Sequence, residues 1–495
     1  MTIVIGILAA VLVILLPTGA SAQDEKSKIK QKTVEGRDSY KTTVSVSSKG
    51  GVNTVKFSNW QKEYRIEFDG EFELSNDDTD IVAISRGGYF EISKSAFGSR
   101  RRVLIEADSR GDLEKQFFIG RERVDFEPEG RRWLADVLPD VVRSTTIGAE
   151  SRINRFYRQG GALRVMEEVG DLNGDYLRSH YIKILLEKED LKVDELVVII
   201  EEAADEVDSD HYLSEILRSN ERRFFESERT IEAFIEASED IGSDHYRSEV
   251  LKSALRYDDL KPEHLSKILE SASDISSDHY MSEVFKKALK EQDLTDELIG
   301  ELIQAAGSIS SDHYQSELFR DALRSEKVSD ASYWEIINAA GDISSDHYKT
   351  ELFKELLENE LSSDALNRMI ENIEEDVGSD HYAHILLTKI MTEQRLDNEA
   401  LETMIGAIEE VGSDHYSSQI IITAANETDL SDKMVLALLE AVDDIGSDHY
   451  AAEALKSLAG FVRESGSSEL RDAYHRAASG INSETFYGRA MKALY

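Results

Sequence analysis

The chain is 495 residues long, contains no cysteine and carries a net charge of -41. The missing cysteine excludes a disulfide framework, thiolate catalysis and a lipid anchor on an N-terminal Cys. Charge of that sign disfavours nucleic acid and anionic lipid as partners and favours cationic ones. It is unevenly spread: residues 24–150 hold about 22 basic and 24 acidic side chains, and residues 151–495 roughly 35 and 74, so the acidity belongs to the second region.

In chain order, residues 3–16 are an unbroken apolar run ended by Pro17 and Gly19, and Ala20-Ser21-Ala22 supplies a small-residue cleavage pattern before Gln23. This predicts a cleavable signal peptide over 1–22 and export to a periplasm or the extracellular medium. The run is short for a bilayer, and no integral span is expected in the mature chain. Residues 23–39, with Lys26, Lys28, Lys30 and Lys32, read as a polar linker.

Residues 40–46 and 64–68 alternate apolar and polar, and 81–84, 89–92, 103–107 and 117–119 are short β-type runs. Asn76-Asp77-Asp78, Gly87-Gly88 and Arg110-Gly111-Asp112 punctuate them as turns. An antiparallel β-rich domain of six to eight strands is predicted over 40–128. Its Arg100-Arg101-Arg102, Arg121, Arg123, Arg131 and Arg132 form basic patches that would face the acidic region or an anionic ligand. Connecting helices are predicted over 129–161, with Trp133, Val137, Val141 and Val142 on one side of a segment broken or kinked at Pro139, and a turn at Gly160-Gly161.

The remainder is governed by one phrase. Ser-Asp-His-Tyr occurs eight times at a spacing of 34 residues, as Asp210-His211-Tyr212, Asp244-His245-Tyr246, Asp278-His279-Tyr280, Asp312-His313-Tyr314, Asp346-His347-Tyr348, Asp380-His381-Tyr382, Asp414-His415-Tyr416 and Asp448-His449-Tyr450. A period kept in register over that length marks a repeat architecture. Helical spacing of Tyr280, Val284, Phe285, Ala288 and Leu289, then of Val435, Leu438, Leu439, Val442 and Ile445, makes each repeat a helix pair. N-cap candidates for the second helices are Ser227, Thr295, Ser329, Ser363 and Ser431, with Pro262 at a first helical position. Gly242, Gly378, Gly412 and Gly446, standing just before the phrase, would close the preceding helix in the left-handed conformation.

The predicted fold is therefore α+β: a small antiparallel β-rich N-terminal domain followed by an α-solenoid over 162–495, about nine helix pairs. It comprises a degenerate repeat at 174–208, eight repeats at 209–480 and a C-terminal cap at 481–495. The recurring phrase, as in Ile275 to Phe285, resembles HEAT-like α-solenoid repeats of exported bacterial proteins. Behind a β-rich region it resembles the extracytoplasmic part of membrane metallopeptidase antirepressors of the β-lactam-sensor type. That resemblance implies a sensing or binding module. The peptidase half has no counterpart, since no His-Glu-x-x-His occurs. Tetratricopeptide repeats share the period but not their Trp, Gly and Pro signature here.

Adjacent Ser, Asp and His on one starting helix diverge, whereas a catalytic triad needs three side chains converging on one proton path, so no catalytic residue is assigned. The expected role is structural: Ser or Asp caps the first helix, Asp complements its dipole, and Tyr opens the apolar stripe. Metal ligation is considered at His381 and His384, i and i+3 on one helix, with Asp380 beside them. A calcium loop is considered at Asp171-Leu172-Asn173-Gly174-Asp175, whose Gly and bidentate-Glu positions do not fit. No cofactor is expected. The expected function is a non-enzymatic exported scaffold that binds a protein partner or senses the cell envelope. The alternatives are a binder of divalent metal, cationic or glycan ligands along the acidic face, and a hydrolase with a site between the two parts.

Overall fold

A computed structural model describes residues 28–35, 41–49, 52–58, 63–96, 99–258, 260–325, 328–427 and 430–495. The signal peptide expected over 1–22 lies outside them. Contacts divide the chain into two compact units that meet between Tyr246 and Arg247, and each is described by itself.

Among its described residues the first unit has ten strands: β1 (Lys28–Glu35), β2 (Lys41–Lys49), β3 (Val52–Ser58), β4 (Glu63–Asp69), β5 (Phe72–Leu74), β6 (Ile81–Ile84), β7 (Tyr89–Ala96), β8 (Ser99–Ala107), β9 (Leu113–Ile119) and β10 (Glu122–Val124). Eight form one antiparallel sheet in the order β1-β2-β3-β4-β7-β8-β9-β10, and β5 pairs with β6. Strand β1 occupies part of the stretch read as a polar linker. Its register against β2 runs from Lys28↔Ser48 to Glu35↔Lys41.

Register explains the sheet's core. Val55, Ile66, Ile92, Val103 and Phe117 are direct cross-strand partners along β3, β4, β7, β8 and β9, and all five are buried. A one-residue slip would turn that whole row to the opposite face. Helix α1 (Arg131–Ser144) covers the row with Trp133, Leu134, Val137, Leu138, Val141 and Val142. Pro139 lies inside α1 without ending it. The chain turns later instead, at Thr145 to Gly148, where Gly148 adopts φ 68° before α2 (Ala149–Gly170). As expected, α2 is interrupted at Gly160-Gly161, both outside helical φ/ψ. The Glu195 carboxylate fills the place a Cβ on Gly161 would take and accepts from the Ala162 N–H at 3.2 Å.

Three arginines of the basic patches, Arg102, Arg123 and Arg131, are paired within the β domain and its adjoining helix start. Arg102 pairs with Glu91 at 2.8 Å and lies over the Phe118 ring, Arg123 pairs with Glu114, and Arg131 with Glu127 and Asp80. The unit continues with α3 (Asp175–Leu186), α4 (Val193–Glu206), α5 (Asp210–Ser219), α6 (Glu221–Phe224) and α7 (Glu228–Glu239), while α8 (Asp244–Ala254) runs across the boundary between the units. Within the unit α2, α4 and α7 stack as one layer and α3 and α5 as the other.

In the second unit the second helices are α9 (Pro262–Ser273), α11 (Asp296–Ala306), α13 (Asp330–Ala339), α15 (Ser363–Asp376), α17 (Asn398–Glu409), α19 (Asp432–Asp443) and α21 (Ser468–Ser479). The first helices are α10 (Asp278–Glu291), α12 (Asp312–Leu323), α14 (Asp346–Leu356), α16 (Asp380–Glu393), α18 (Asp414–Glu427), α20 (Asp448–Ser465) and α22 (Glu484–Leu494). Each set stacks on its own kind, giving a two-layer solenoid. One apolar position recurs at every rung: Phe285, Phe319, Phe353, Leu387, Ile421 and Leu455 are all fully buried. At about 1.5–3 kcal/mol per buried large side chain, that column is a main adhesive of the layer. Thr295, Ser329 and Ser431 cap their helices as predicted, accepting from Leu298, Ser332 and Met434 N–H groups. In the copy at Ser345 the cap is Ser362, not Ser363, which is already helical. Pro262 opens α9.

Candidate functional site: the His–Tyr edge

Each Ser-Asp-His-Tyr marks the start of a first helix, but its parts work differently from the expectation. Ser209, Ser277, Ser311, Ser345, Ser379 and Ser447 occupy the N-cap in extended conformation without any side-chain cap bond. The Asp carboxylate instead reaches forward to the backbone of the next repeat. Gly242 N–H donates to Asp210 at 3.1 Å, Ser344 to Asp312 at 3.2 Å, Gly378 to Asp346 at 3.3 Å, Gly412 to Asp380 at 3.1 Å and Gly446 to Asp414 at 3.0 Å. Asp278 takes Ser310 and Ser311, and Asp448 takes Asn482 and Ser483. These aspartates thus brace consecutive turns.

The brace corrects the reading of the glycines. Gly242, Gly378, Gly412 and Gly446 do not have positive φ. What the position must supply is an N–H beside a carboxylate. A Cβ there would meet the Asp oxygens at 3.6–4.0 Å, ordinary contact, which is why Ser310 and Ser344 serve equally.

His and Tyr together form a ring ladder. In the second unit His279 lies 5.1 Å from Tyr280 and 5.6 Å from Tyr314, and His313 5.1 Å from Tyr314 and 5.6 Å from Tyr348. The alternation continues through His347, His381, His415 and His449. It stops at Phe486, 5.3 Å from His449, where the degenerate phrase has Thr485 in place of His. In the first unit Tyr176 replaces His and stands 6.3 Å from Tyr212. The rings are tilted by 45–52° in most of these pairs, a geometry worth about 0.5–1.5 kcal/mol per aromatic pair. Each imidazole from His279 to His415 is therefore held between its own Tyr and the next, and His449 between Tyr450 and Phe486.

The ladder also faces solvent. His245, His279, His313, His347, His381, His415 and His449 are exposed, His211 is half-buried, and every Tyr of the phrase is half-buried. Among the described residues the hydroxyls of Tyr314, Tyr348, Tyr382, Tyr416 and Tyr450 have no hydrogen-bond partner within the chain and are not sealed from water. One turn further along, Glu317 is held below the usual carboxylate range by its bond to Lys286 at 2.6 Å, and Glu351 by Lys354 at 3.0 Å. Where those glutamates would recur, the sixth and seventh copies have Ile385 and Gln419.

The sixth copy departs further. His384 takes a place that is Ser in most copies and lies 5.2 Å from Tyr416, against which His381 (5.8 Å) and His415 (5.1 Å) also pack. Burial, then His381 and His415, lower its pKa, and its Nδ1 is buried without a hydrogen-bond partner. His381 and His384 both face Tyr416, while Asp380 is engaged by Gly412. Among the described residues no three His, Asp or Glu come together to hold a metal. The loop considered for calcium is likewise occupied: Asp171 binds Arg143, Asp175 binds Arg178, and Leu172 is buried.

Two features escaped sequence reasoning. One is the residue after Tyr, which reaches back to the carbonyls ending the preceding second helix. Gln315 bonds the Ala306 oxygen and Lys349 the Gly341 oxygen, as Arg178 does toward Gly170 in the degenerate repeat. The other is Arg152, fully buried, whose guanidinium binds Asp78 (2.9 Å), Glu168 (2.5 Å) and Tyr181 (2.5 Å). Arg155 takes the other oxygen of Asp78 at 2.6 Å and the Ser75 carbonyl at 2.8 Å. These bonds tie the Asn76-Asp77-Asp78 turn of the β domain to α2 and α3.

No described protein family matches the chain, and no curated protein does. Several solved structures resemble it, three of which follow. A computationally designed self-assembling cyclic homooligomer is 15% identical, covering 66% of this chain and 96% of its own, with a TM-score of 0.11. A circular tandem repeat protein is 12% identical over 74% and 78%, at 0.15. The structure of APUM23-GGAAUUGACGG is 15% identical over 75% and 86%, at 0.21. At such TM-scores none of them bears on what this chain binds.

Proposed function

We propose that the chain is a non-enzymatic scaffold that holds a protein partner along the His–Tyr edge of its first helices, as an exported binding or sensing component of a cell envelope. The observation that carries this is the edge itself: imidazole and phenol rings alternating rung after rung, with every phrase imidazole but His211 exposed. Solenoids use extended surfaces of this kind for binding, and exposed aromatic groups are over-represented at interfaces. Export rests on the apolar run over 3–16 and the Ala20-Ser21-Ala22 pattern. No helix among the described residues is long and apolar enough to cross a membrane.

The test places a photo-crosslinking amino acid at exposed His313 or His347 and, as a control, at Glu402 on the second-helix layer. In envelope extract the ladder positions should yield one discrete protein adduct that the control does not. Adducts from the control alone would refute the assignment of the edge, and turnover of hydrolysable envelope substrates would refute the non-enzymatic reading.

A second reading is favoured by one observation. Burial and crowding by Asp205, Glu206 and Glu201 raise the pKa of Glu202, and burial with Asp444, Glu440 and Glu410 does the same for Glu409. Second helices so crowded with carboxylates would gain from a cationic or divalent ligand, and calorimetry with Ca²⁺, Zn²⁺ or Cu²⁺ tests that directly.

A further inference from the structure

The ladder has a spacing and a chemistry that together select a class of partner. Helices packed side by side are about 8–10 Å apart, so one rung follows another at about that interval. A polyproline-II chain has three residues per turn and rises about 3.1 Å per residue, close to 9.3 Å per turn. One turn of such a chain therefore advances by nearly one repeat.

The hydrogen-bonding chemistry agrees with the spacing. Among the described residues the hydroxyls of Tyr314, Tyr348, Tyr382, Tyr416 and Tyr450 have no hydrogen-bond partner and are not sealed from water. Phenol O–H and imidazole N–H groups donate, and a polyproline-II backbone has every carbonyl free to accept because it makes no internal hydrogen bonds. Proline also brings no N–H that would need an acceptor from this edge. Recognition of such segments by aromatic-lined surfaces is a recurring mode.

Charge completes the description of the partner. Residues 247–495 carry 23 basic and 50 acidic side chains, so a basic segment is drawn to this unit and an acidic one repelled. The sixth and seventh rungs stand apart: Ile385 and Gln419 replace the flanking glutamates, and His381, His384 and His415 surround Tyr416. That rung gathers three imidazoles around one phenol, with no glutamate at the flanking position.

We propose that the His–Tyr edge of the second unit, centred on Tyr416, is a docking strip for a basic, proline-rich polypeptide segment in polyproline-II conformation, one turn per repeat. This rests on the reading of the edge as a protein-binding surface and names the partner class.

The test uses the full chain and two labelled peptides of equal charge and length, about 18 residues or six turns. One repeats Pro-Pro-Lys and the other Gly-Ser-Lys, and affinity is read by fluorescence anisotropy at physiological salt. The Pro-Pro-Lys peptide should bind at least about tenfold more tightly, a difference of about 1.4 kcal/mol. Tyr416→Phe, which keeps the ring and removes only the hydroxyl, should weaken it severalfold while leaving the Gly-Ser-Lys peptide unchanged. Equal binding of the two peptides would reduce the interaction to charge and overturn the proposal. So would binding of neither, or displacement by a soluble β-linked oligosaccharide in their place. If crosslinking at His347 captures an envelope protein that the Pro-Pro-Lys peptide fails to displace, the scaffold reading stands and the polyproline-II assignment falls. If crosslinking captures nothing, the fault lies in the scaffold reading itself.

Discussion

The carboxylate of Asp414 accepts a hydrogen bond from the N–H of Gly446, 32 residues further on, at 3.0 Å. The same link recurs from Asp210–Gly242 to Asp380–Gly412, so the Asp of each of these phrases acts on the following repeat rather than on its own helix. Asp414→Ala should cost about 1 kcal/mol and should speed amide exchange at Gly446 well before it affects more distant repeats. Asp414→Asn, which retains an acceptor, should fall between. Exchange at Gly446 as slow in the Ala variant as in the wild type would show that the brace is not what holds the turn.

Arg152 is the second test. Truncating it to Ala removes the cation that Asp78 and Glu168 share, leaving Asp78 to Arg155 and Glu168 to Arg143, a loss of roughly 3 kcal/mol, the low end for a broken buried pair. Arg152→Lys should rescue little, because an ammonium cannot reproduce the guanidinium's simultaneous contacts to Asp78, Glu168 and Tyr181. Limited proteolysis in the β domain and the thermal midpoint of the first unit are the readouts. Unchanged values in the Ala variant would refute this account of the junction.

Acid should act on the same cluster. Burial alone would raise the Glu168 carboxyl, but bonds to Arg143 and Arg152 outweigh it and hold the pKa below the ordinary value. A carboxyl depressed in the folded state contributes stability that is full above its unfolded pKa of about 4.3 and is lost as pH falls through the folded value. The first unit should therefore weaken as pH drops below about 4. Glu168→Gln should be less stable at pH 7 and show a flatter dependence over that window, as followed by melts from pH 7 to pH 3.

Lys349 predicts the opposite sign for a mutation. It is 1% exposed, and burial depresses its ammonium pKa despite Asp376 at 3.6 Å. The preceding repeats place Gln315 and Met281 at the same position. Lys349→Gln should keep a bond to the Gly341 carbonyl while removing the buried charge, and should raise stability by about 1 kcal/mol. A lower thermal midpoint would mean that the ion pair outweighs its desolvation.

The ladder itself should respond to ring identity rather than charge. His313→Ala removes contacts to Tyr314 and Tyr348 and should cost about 1 kcal/mol. His313→Tyr should restore most of it, as Tyr176 suggests by standing at the corresponding place. Equal melting of the Ala and Tyr variants would remove the packing role.

The solenoid was legible in the sequence because a 34-residue period and a 3.6-residue apolar stripe are both local patterns, visible without knowing what touches what. The caps at Thr295, Ser329 and Ser431 were legible for the same reason, whereas Ser227 holds its N-cap without a side-chain bond and Ser363 gives way to Ser362. The forward reach of Asp was not read, although the alternation of Gly and Ser one period ahead hints at a site where only a backbone N–H is required. Strand β1 falls in a stretch that reads as linker, because alternating lysines give a polar composition whether the backbone is extended or irregular. Arg152 and Asp78 lie 74 residues apart, and nothing local to either announces the other. His384 was noticed for its spacing to His381, yet spacing along one helix cannot tell convergence on a metal from packing against the same Tyr416.

The bracing rule has a consequence for how such a chain can change length. Acceptor and donor sit one module apart, so deleting or duplicating a whole 34-residue unit returns every Asp to a waiting N–H and every His to a waiting Tyr. A frame-preserving insertion of any other size strands one of each. Growth and shrinkage in whole modules is thus the path of least disruption, and the array serves as a ruler whose graduations can be added or removed without redesigning the joints.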